Sequence, residues 1–202
     1  MKIALAAPFL AGALLLAACG PTPDNGPALT ESGWTIDSSA STVNYASIKA
    51  GDTVEMNSFE NLTGSVAADG TANVEIDLAS VSTGIDIRDE RMRDIFFVVA
   101  DNPTAKVTAQ IDPAQFEALG VGDSTRVALE GTLSIKGVTA PFEADVKVTR
   151  TGPDSVIAES DPILIDAADL ELTDGLETLR GIAGLPSISS TVPVSFVLAF
   201  TR

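Results

Sequence analysis

Along most of this chain, apolar side chains recur at every second position. Val74, Ile76 and Leu78 alternate with Asn73, Glu75 and Asp77, and Val127, Leu129, Leu133 and Ile135 alternate with Arg126, Ala128, Thr132 and Ser134. Phe142, Ala144, Val146 and Val148 repeat the pattern, as do Val192, Val194, Phe196, Leu198 and Phe200. A strand sends successive side chains to opposite faces, so this period predicts strands with one buried face. Weaker alternation at 42–49, 61–67, 106–111 and 155–165 brings the expected total to eight strands. Lys136-Gly137-Val138-Thr139 separates two alternating runs and predicts a hairpin turn, with glycine supplying the permissive backbone. The prediction is an all-β, antiparallel domain. A sheet with one apolar face must close on itself or pack on a second sheet, and the pattern alone leaves barrel and sandwich open.

The helical period is confined to short insertions at 88–99, 113–119 and 176–183. In the first of these, Met92, Ile95, Phe96 and Val99 fall at i, i+3, i+4 and i+7, which predicts a short helix pressing an apolar stripe onto one end of the sheet.

The N-terminal pattern is of another kind. Lys2 is followed by an apolar run from Ile3 to Ala18 and then by Cys19, in the tetrad Leu16-Ala17-Ala18-Cys19. The run is shorter than the roughly 20 residues that span a bilayer and has no basic flank after it, so it reads as a signal peptide over 1–18. The tetrad reads as a lipobox, with Cys19 the lipidation site, carrying a thioether-linked diacylglycerol and further acylation such as palmitate. Two or more chains anchor a protein stably where one does not. Gly20 follows the cysteine in place of Asp, which resembles lipoproteins released to the outer membrane, facing the periplasm. Residues 19–32, with Pro21, Pro23, Gly26 and Pro27, lack any period and read as an extended, flexible tether. The expected organisation is therefore a leader over 1–18, a lipidated tether over 19–32 and one domain over 33–202.

Charge narrows the partners. The formal net charge is −16, and the only charged residue of the leader is Lys2. Phosphate backbones and anionic lipid surfaces are repelled by such a chain, so no nucleic-acid partner is expected, and membrane association must come from a covalent anchor or an apolar patch, with the acylated N-terminus the expected anchor. The sequence has no His and a single Cys, which removes the commonest general base, the Ser/His and Cys/His nucleophile pairs, the usual transition-metal ligand and any intrachain disulfide. No metal, no cofactor and no catalytic residue is expected. Close carboxylate pairs occur among 28 acidic residues, but no accompanying signature singles one out.

Trp34-Thr-Ile-Asp37, Ser41-Thr-Val43, Leu62-Thr-Gly64, Ser82-Thr-Gly84-Ile85, Arg88-Asp89-Glu-Arg-Met92-Arg-Asp-Ile-Phe96-Phe97, Asn102-Pro103-Thr-Ala-Lys106-Val107 and Leu133-Ser-Ile-Lys-Gly137-Val138-Thr139-Ala-Pro141-Phe142 follow one another in an order and spacing that resembles the YceI-like family. The resemblance runs from about Trp34 to Phe200. It implies a lipocalin-like, eight-stranded antiparallel barrel holding a polyisoprenoid, quinone or fatty-acyl chain in an internal tunnel, in an exported periplasmic protein that is often a homodimer. It also favours barrel over sandwich. Two departures stand out: Ser41 and the Ala50-Gly51 region stand where relatives often carry His, and Asp166-Ala-Ala-Asp169-Leu170 stands where they often carry an Arg before Asp-Phe-Gly. Loss of that cation argues against a pyrophosphate head and for a neutral one.

The candidate ligand-binding residues are Phe59, Ile85, Phe116, Phe142 and Phe196 as lining, and Arg88, Arg91, Met92, Ile95, Phe96 and Phe97 at a mouth, with Arg180 next in line. The expected function is non-enzymatic binding, transport or sequestration of a long apolar ligand next to a membrane. Two other readings stay open at this point: a solid barrel that docks an envelope partner, and a lipid-modifying enzyme built on a carboxylate pair.

Overall fold

The structure, a computed structural model, describes residues 26–202; the leader, Cys19 and the first part of the tether lie outside the described residues. Strands β1 (Trp34–Ile36), β2 (Thr42–Lys49), β3 (Thr53–Phe59), β4 (Leu62–Val66), β5 (Thr71–Asp77) and β6 (Val81–Ser82) lead to helix α1 (Asp86–Arg91), which runs directly into a π-helical turn at Met92–Phe97. Then come β7 (Thr104–Gln110), β8 (Ser124–Ile135), β9 (Val138–Gly152), β10 (Ser155–Ser160), β11 (Ile163–Asp166), helix α2 (Thr173–Ala183) and β12 (Thr191–Thr201).

All pairings are antiparallel, and β1 closes the sheet on β12, with Thr35 opposite Thr201 and Ile36 opposite Phe200. Four staves of this barrel are jointed. β1 and β2 lie in succession along β12, while β3 and β4 pair with them; β5 and β6 pair in turn with β4 and β3, and β10 and β11 share the other edge of β12. With β7, β8, β9 and β12 unbroken, these make a closed eight-stave meander, one stave for each expected strand. Lys136 (φ 53°) and Gly137 (φ 80°) form the two-residue turn between β8 and β9, both in the left-handed region that a hairpin of this twist requires.

A break in a strand leaves backbone N–H groups without a ladder partner, and here serine hydroxyls take them up. Leu62 N–H donates to Ser38 Oγ (3.3 Å), Glu60 and Asn61 N–H both donate to Ser80 Oγ (3.2 and 3.1 Å), and Ala199 N–H donates to Ser41 Oγ (2.9 Å). Asp37 and Asp77 cap the short 3₁₀ turns at two joints by accepting from Ser39 and Ala79 N–H. Leu62 and Leu78, beside these joints, are among the most deeply buried side chains. The joints of the first three staves thus form one stitched seam across three of the eight staves.

The structure departs from the sequence expectation in two segments. The stretch 88–99 is not one α-helix: after α1 the backbone widens to i→i+5 spacing, and Met92 and Phe97, five apart, are its buried pair while Ile95 is half-buried. The described part of the tether is docked rather than extended. Leu29 is buried, its carbonyl accepts from Trp34 Nε1 (2.9 Å), and two arginines hold the backbone next to it. Arg202 donates to the carbonyls of Pro27 and Ala28 (2.8 and 2.9 Å) while its guanidinium stacks 4.6 Å from the Trp34 ring centroid. Arg150, at an inward position of β9, donates to the carbonyls of Pro27 (2.8 Å) and Leu119 (3.2 Å). Two cations satisfied by backbone carbonyls therefore strap the segment across one end of the barrel.

Candidate functional site

Every second residue of each stave points inward, yet the interior is not filled. Two cavities lie end to end and share Val43 and Ile76 in their walls. The one at the strapped end has a volume of about 180 Å³ and runs from Leu29 and Trp34 past Phe116 to Phe142 and Phe196. Its side-chain lining is apolar apart from Thr30, with no charged residue. An eight-stranded barrel is just wide enough to hold one slender ligand where its inward side chains leave room.

The second cavity, about 380 Å³, lies between the barrel and the two helices. Leu176 and Leu179 from α2, Met92, Phe96 and Phe97 from the π turn, and Leu170 and Leu172 from the loop after β11 cover it. Helix and turn meet closely: a Cβ on Gly175 would lie 3.2 Å from Phe96 Cδ2. Phe59 packs edge-on against Phe97 (5.8 Å between centroids) and tilted against Tyr45 (5.6 Å), making an aromatic floor.

One side of this second cavity is polar. Tyr45, Ser47 and Lys49 of β2 and Asn57 of β3 face into it, with Thr83, Arg88 and Arg91 from the α1 side. Lys49 Nζ pairs with Glu55 Oε1 at 2.7 Å, and Arg88 bonds the other oxygen of the same carboxylate. Hydrogen bonding from Lys49 first, and from Arg88 after it, holds the Glu55 carboxyl below its ordinary range. Arg88 also donates to Thr83 Oγ1 (2.9 Å) and to the Thr83 carbonyl (3.0 Å), so its guanidinium bridges α1 to β3. Burial pushes the Tyr45 phenol well above its usual range, which keeps it neutral. Among the described residues, no Asp or Glu lines either cavity. Among the described residues no cluster of His, Cys, Asp and Glu is arranged to hold a metal ion.

The YceI-like domain matches residues 34–200, nearly the whole described barrel. The chain belongs to the YceI-like family. Among solved structures, a polyisoprenoid binding domain from Saccharophagus degradans, implicated in plant cell wall breakdown, is 39% identical, with a TM-score of 0.80 over 84% of this chain and 98% of that one. BcnA of Burkholderia cenocepacia shares the fold at 20% identity, with a TM-score of 0.63 over 81% of this chain and 98% of its own. The YceI protein of Campylobacter jejuni does so at 18% identity, with a TM-score of 0.52 over 72% of this chain and 84% of that one. No curated protein matches the chain.

In this YceI-like barrel the candidate residues separate into three groups. Phe59, Arg88, Arg91, Met92, Phe96 and Phe97 come together around the larger cavity, and Phe142 and Phe196 lie in the smaller one with Phe116. Ile85 and Ile95 line neither cavity: Ile85 is 47% exposed ahead of α1, and Ile95 is half-buried in the π turn. Arg180 is likewise outside the walls, bonded to Glu177 and to the Leu185 carbonyl at the end of α2. Asp166 and Asp169 are outside as well; Asp166 accepts from Thr191 Oγ1 (2.6 Å) and Ala168 N–H, which holds its carboxyl below the usual range. The two acids therefore add no charge to the cavity wall, and no cation stands at 166–170.

Tyr45 and Asn57 escaped the sequence reading. Across β3 the pattern is inverted: Val54 and Met56 point outward and are exposed, whereas Glu55 and Asn57 occupy inward positions. Counting back from Phe59 in steps of two reaches Asn57, and counting on from Val43 in steps of two reaches Tyr45, which is the signal that would have found them.

Proposed function

We propose that this chain is a non-enzymatic carrier of a long apolar ligand, a polyisoprenoid, quinone or fatty-acyl compound. Its chain lies in the apolar cavity at the Trp34 end, and its polar head lies beside Tyr45, Asn57 and Arg91. The observation that carries this reading is the contrast between the two cavities, one without a charged lining residue and one with polar side chains gathered on one side. Apolar transfer drives such binding at about 25 cal/mol per Å² of ligand surface removed from water, before the loss of freedom on association is counted. The polyisoprenoid binding of the Saccharophagus relative supports the ligand class. Arg91 is the wall cation with no ion pair or hydrogen bond to a described residue, whereas Lys49 and Arg88 are engaged by Glu55.

Cys19 is proposed to carry the acyl anchor and to hold the protein at the outer membrane, facing the periplasm, where ligand moves between bilayer and barrel. Native mass spectrometry of the full chain, purified from bacterial envelopes in mild detergent, is the test. A co-purifying lipid, and uptake of a prenylated quinone by lipid-free protein, are expected; a homogeneous lipid-free mass with no uptake overturns the carrier reading. Changing Cys19 to Ser should release folded protein from the membrane fraction, and persistent association overturns the anchor.

A further inference from the structure

Three adjoining staves carry no charge at the outward positions of their strands. The inward residues of β12 and β2 line the cavities, so period two sends Pro193, Ser195, Val197 and Ala199 outward on β12 and Ala46 and Ile48 outward on β2. β3 adds Val54 and Met56, across the ladder from Ile48 and Ala46, and β1 and β4 add Thr35, Thr63 and Ser65. Asp37 and Glu60 sit at the joints, outside the strands. By contrast, the outward positions of β5, β7, β8, β9 and β10 include Glu75, Lys106, Arg126, Glu143 and Glu159. In a chain of net charge −16, an uncharged wall of three staves stands apart. At its helical end Val54 is 58% and Met56 66% exposed, because the hairpin there turns its polar residues inward. An exposed apolar patch of this kind marks a contact surface.

We propose that this wall rests on a lipid bilayer, with Val54 and Met56 dipping into its interface and the helical end of the barrel brought against the membrane. The inference rests on the anchor and carrier readings above and adds the pose in which they work together. An acidic chain meets a membrane at least cost where it presents no charge. The reach of the tether points to the same occupant. Gly26 lies against Pro153 in the β9–β10 turn, at the strapped end, whereas the β2–β3 turn lies at the helical end, beside Ser187 and Ile188. β9 runs between the two ends, and its fifteen residues, at about 3.3 Å each and tilted by about 40°, set them about 35 Å apart. The chain from Cys19 to Gly26 spans at most about 25 Å. A barrel standing on its helical end would hold Gly26 beyond reach of an anchor in that membrane, and one standing on its strapped end would lift Met56 clear of it. A barrel lying on its uncharged wall lets anchor and patch touch one bilayer.

The test footprints the full chain with hydroxyl radicals, read by mass spectrometry, once on phosphatidylcholine vesicles and once free in solution as Cys19→Ser. Val54 and Met56 should be oxidised roughly threefold less or lower still on the vesicles, while Lys106 and Pro141, exposed on β7 and β9 across the barrel, keep their solution rates. Equal oxidation of Val54 and Met56 in both states overturns the docking face and leaves the carrier reading standing. Protection that appears on concentrating the vesicle-free protein assigns the face to a second copy, pairing along the 53–57 edge of β3 that no described strand covers, and overturns it too. Met56→Glu, outside both cavities, should restore oxidation of Val54 on vesicles and slow uptake of a prenylated quinone from them about fivefold, with uptake from detergent micelles unchanged. No uptake from micelles by the native protein overturns the carrier reading alone, since the footprint decides the face without a ligand. Should Cys19 bear no acyl chain, its thiol, the only one in the sequence, is coupled to a maleimide lipid in the same vesicles, and the footprint decides as before.

Discussion

Gly131 on β8 lies opposite Phe142 on β9, and the phenyl ring occupies the space where a side chain at 131 would begin. A Cβ there would stand 2.7 Å from Phe142 Cζ and 3.0 Å from the Thr108 carbonyl. The glycine is what lets an aromatic ring lie flat along the wall of the smaller cavity. Gly131→Ala should force the ring inward and destabilise the barrel by about 1–3 kcal/mol, the usual range for overpacking. Thermal unfolding checks the first effect, and weaker binding of long prenyl chains than of short ones checks the second.

Arg202 joins the last residue of the chain to the segment before the first strand. Arg202→Ala removes its hydrogen bonds to Pro27 and Ala28 and its stacking on Trp34, together with an ion pair to an exposed Asp154. A loss of about 1–3 kcal/mol is expected, most of it from the carbonyl contacts and the ring. Limited proteolysis should then cut within 26–33 at low protease, with the barrel fragment intact.

The carboxylate of Glu55 ties α1 to β3 through Arg88, and its pKa is lowered from 4.5 by its two cationic partners. A lowered folded value means that the contribution to stability is complete above the unfolded value of 4.5 and is lost as pH falls through the folded one. Protection of the amides over 83–91, taken relative to their intrinsic exchange rate at each pH, should fall in acid below that point while β8 and β9 stay protected. In Glu55→Gln the loss of protection should already be present at neutral pH and should not depend on pH in that window.

Ser80 serves two backbone N–H groups at a strand break, those of Glu60 and Asn61. Ser80→Ala leaves both to find water or nothing. Destabilisation by about 1–2 kcal/mol is expected, read from the denaturant midpoint with an unchanged slope.

Most of the wall was legible because its inward face is apolar and period two follows directly. β8, β9 and β12 announce themselves in this way, and Lys136-Gly137 marks its own turn. The first half of the second stave did not, because Glu55 and Asn57 replace apolar residues at inward positions; the rule of apolar inside fails where the interior has polar work. The π turn was hidden for a different reason. Met92, Ile95, Phe96 and Val99 satisfy a 3.6-residue period, and only packing beneath Leu176 and Gly175 decides that the backbone widens and that Met92 and Phe97 take the inner face. The docking of Leu29 was likewise out of reach, since it depends on Arg150 and Arg202, more than 120 residues away along the chain.

The stitched seam of strand breaks runs at the level where the two cavities meet: Val43 follows the joint at Ser41, and Ile76 precedes the one at Asp77. A barrel jointed at that height behaves as two short drums stacked on a collar. For the proposed ligand, entering from the helical end, the collar would be a threshold: chains too short to cross it would stay in the upper drum, and longer ones would reach the lower. In the carrier proposed above, capacity would then be counted in drums rather than in methylenes, and the serine stitches of the first three staves would set how rigid the threshold is.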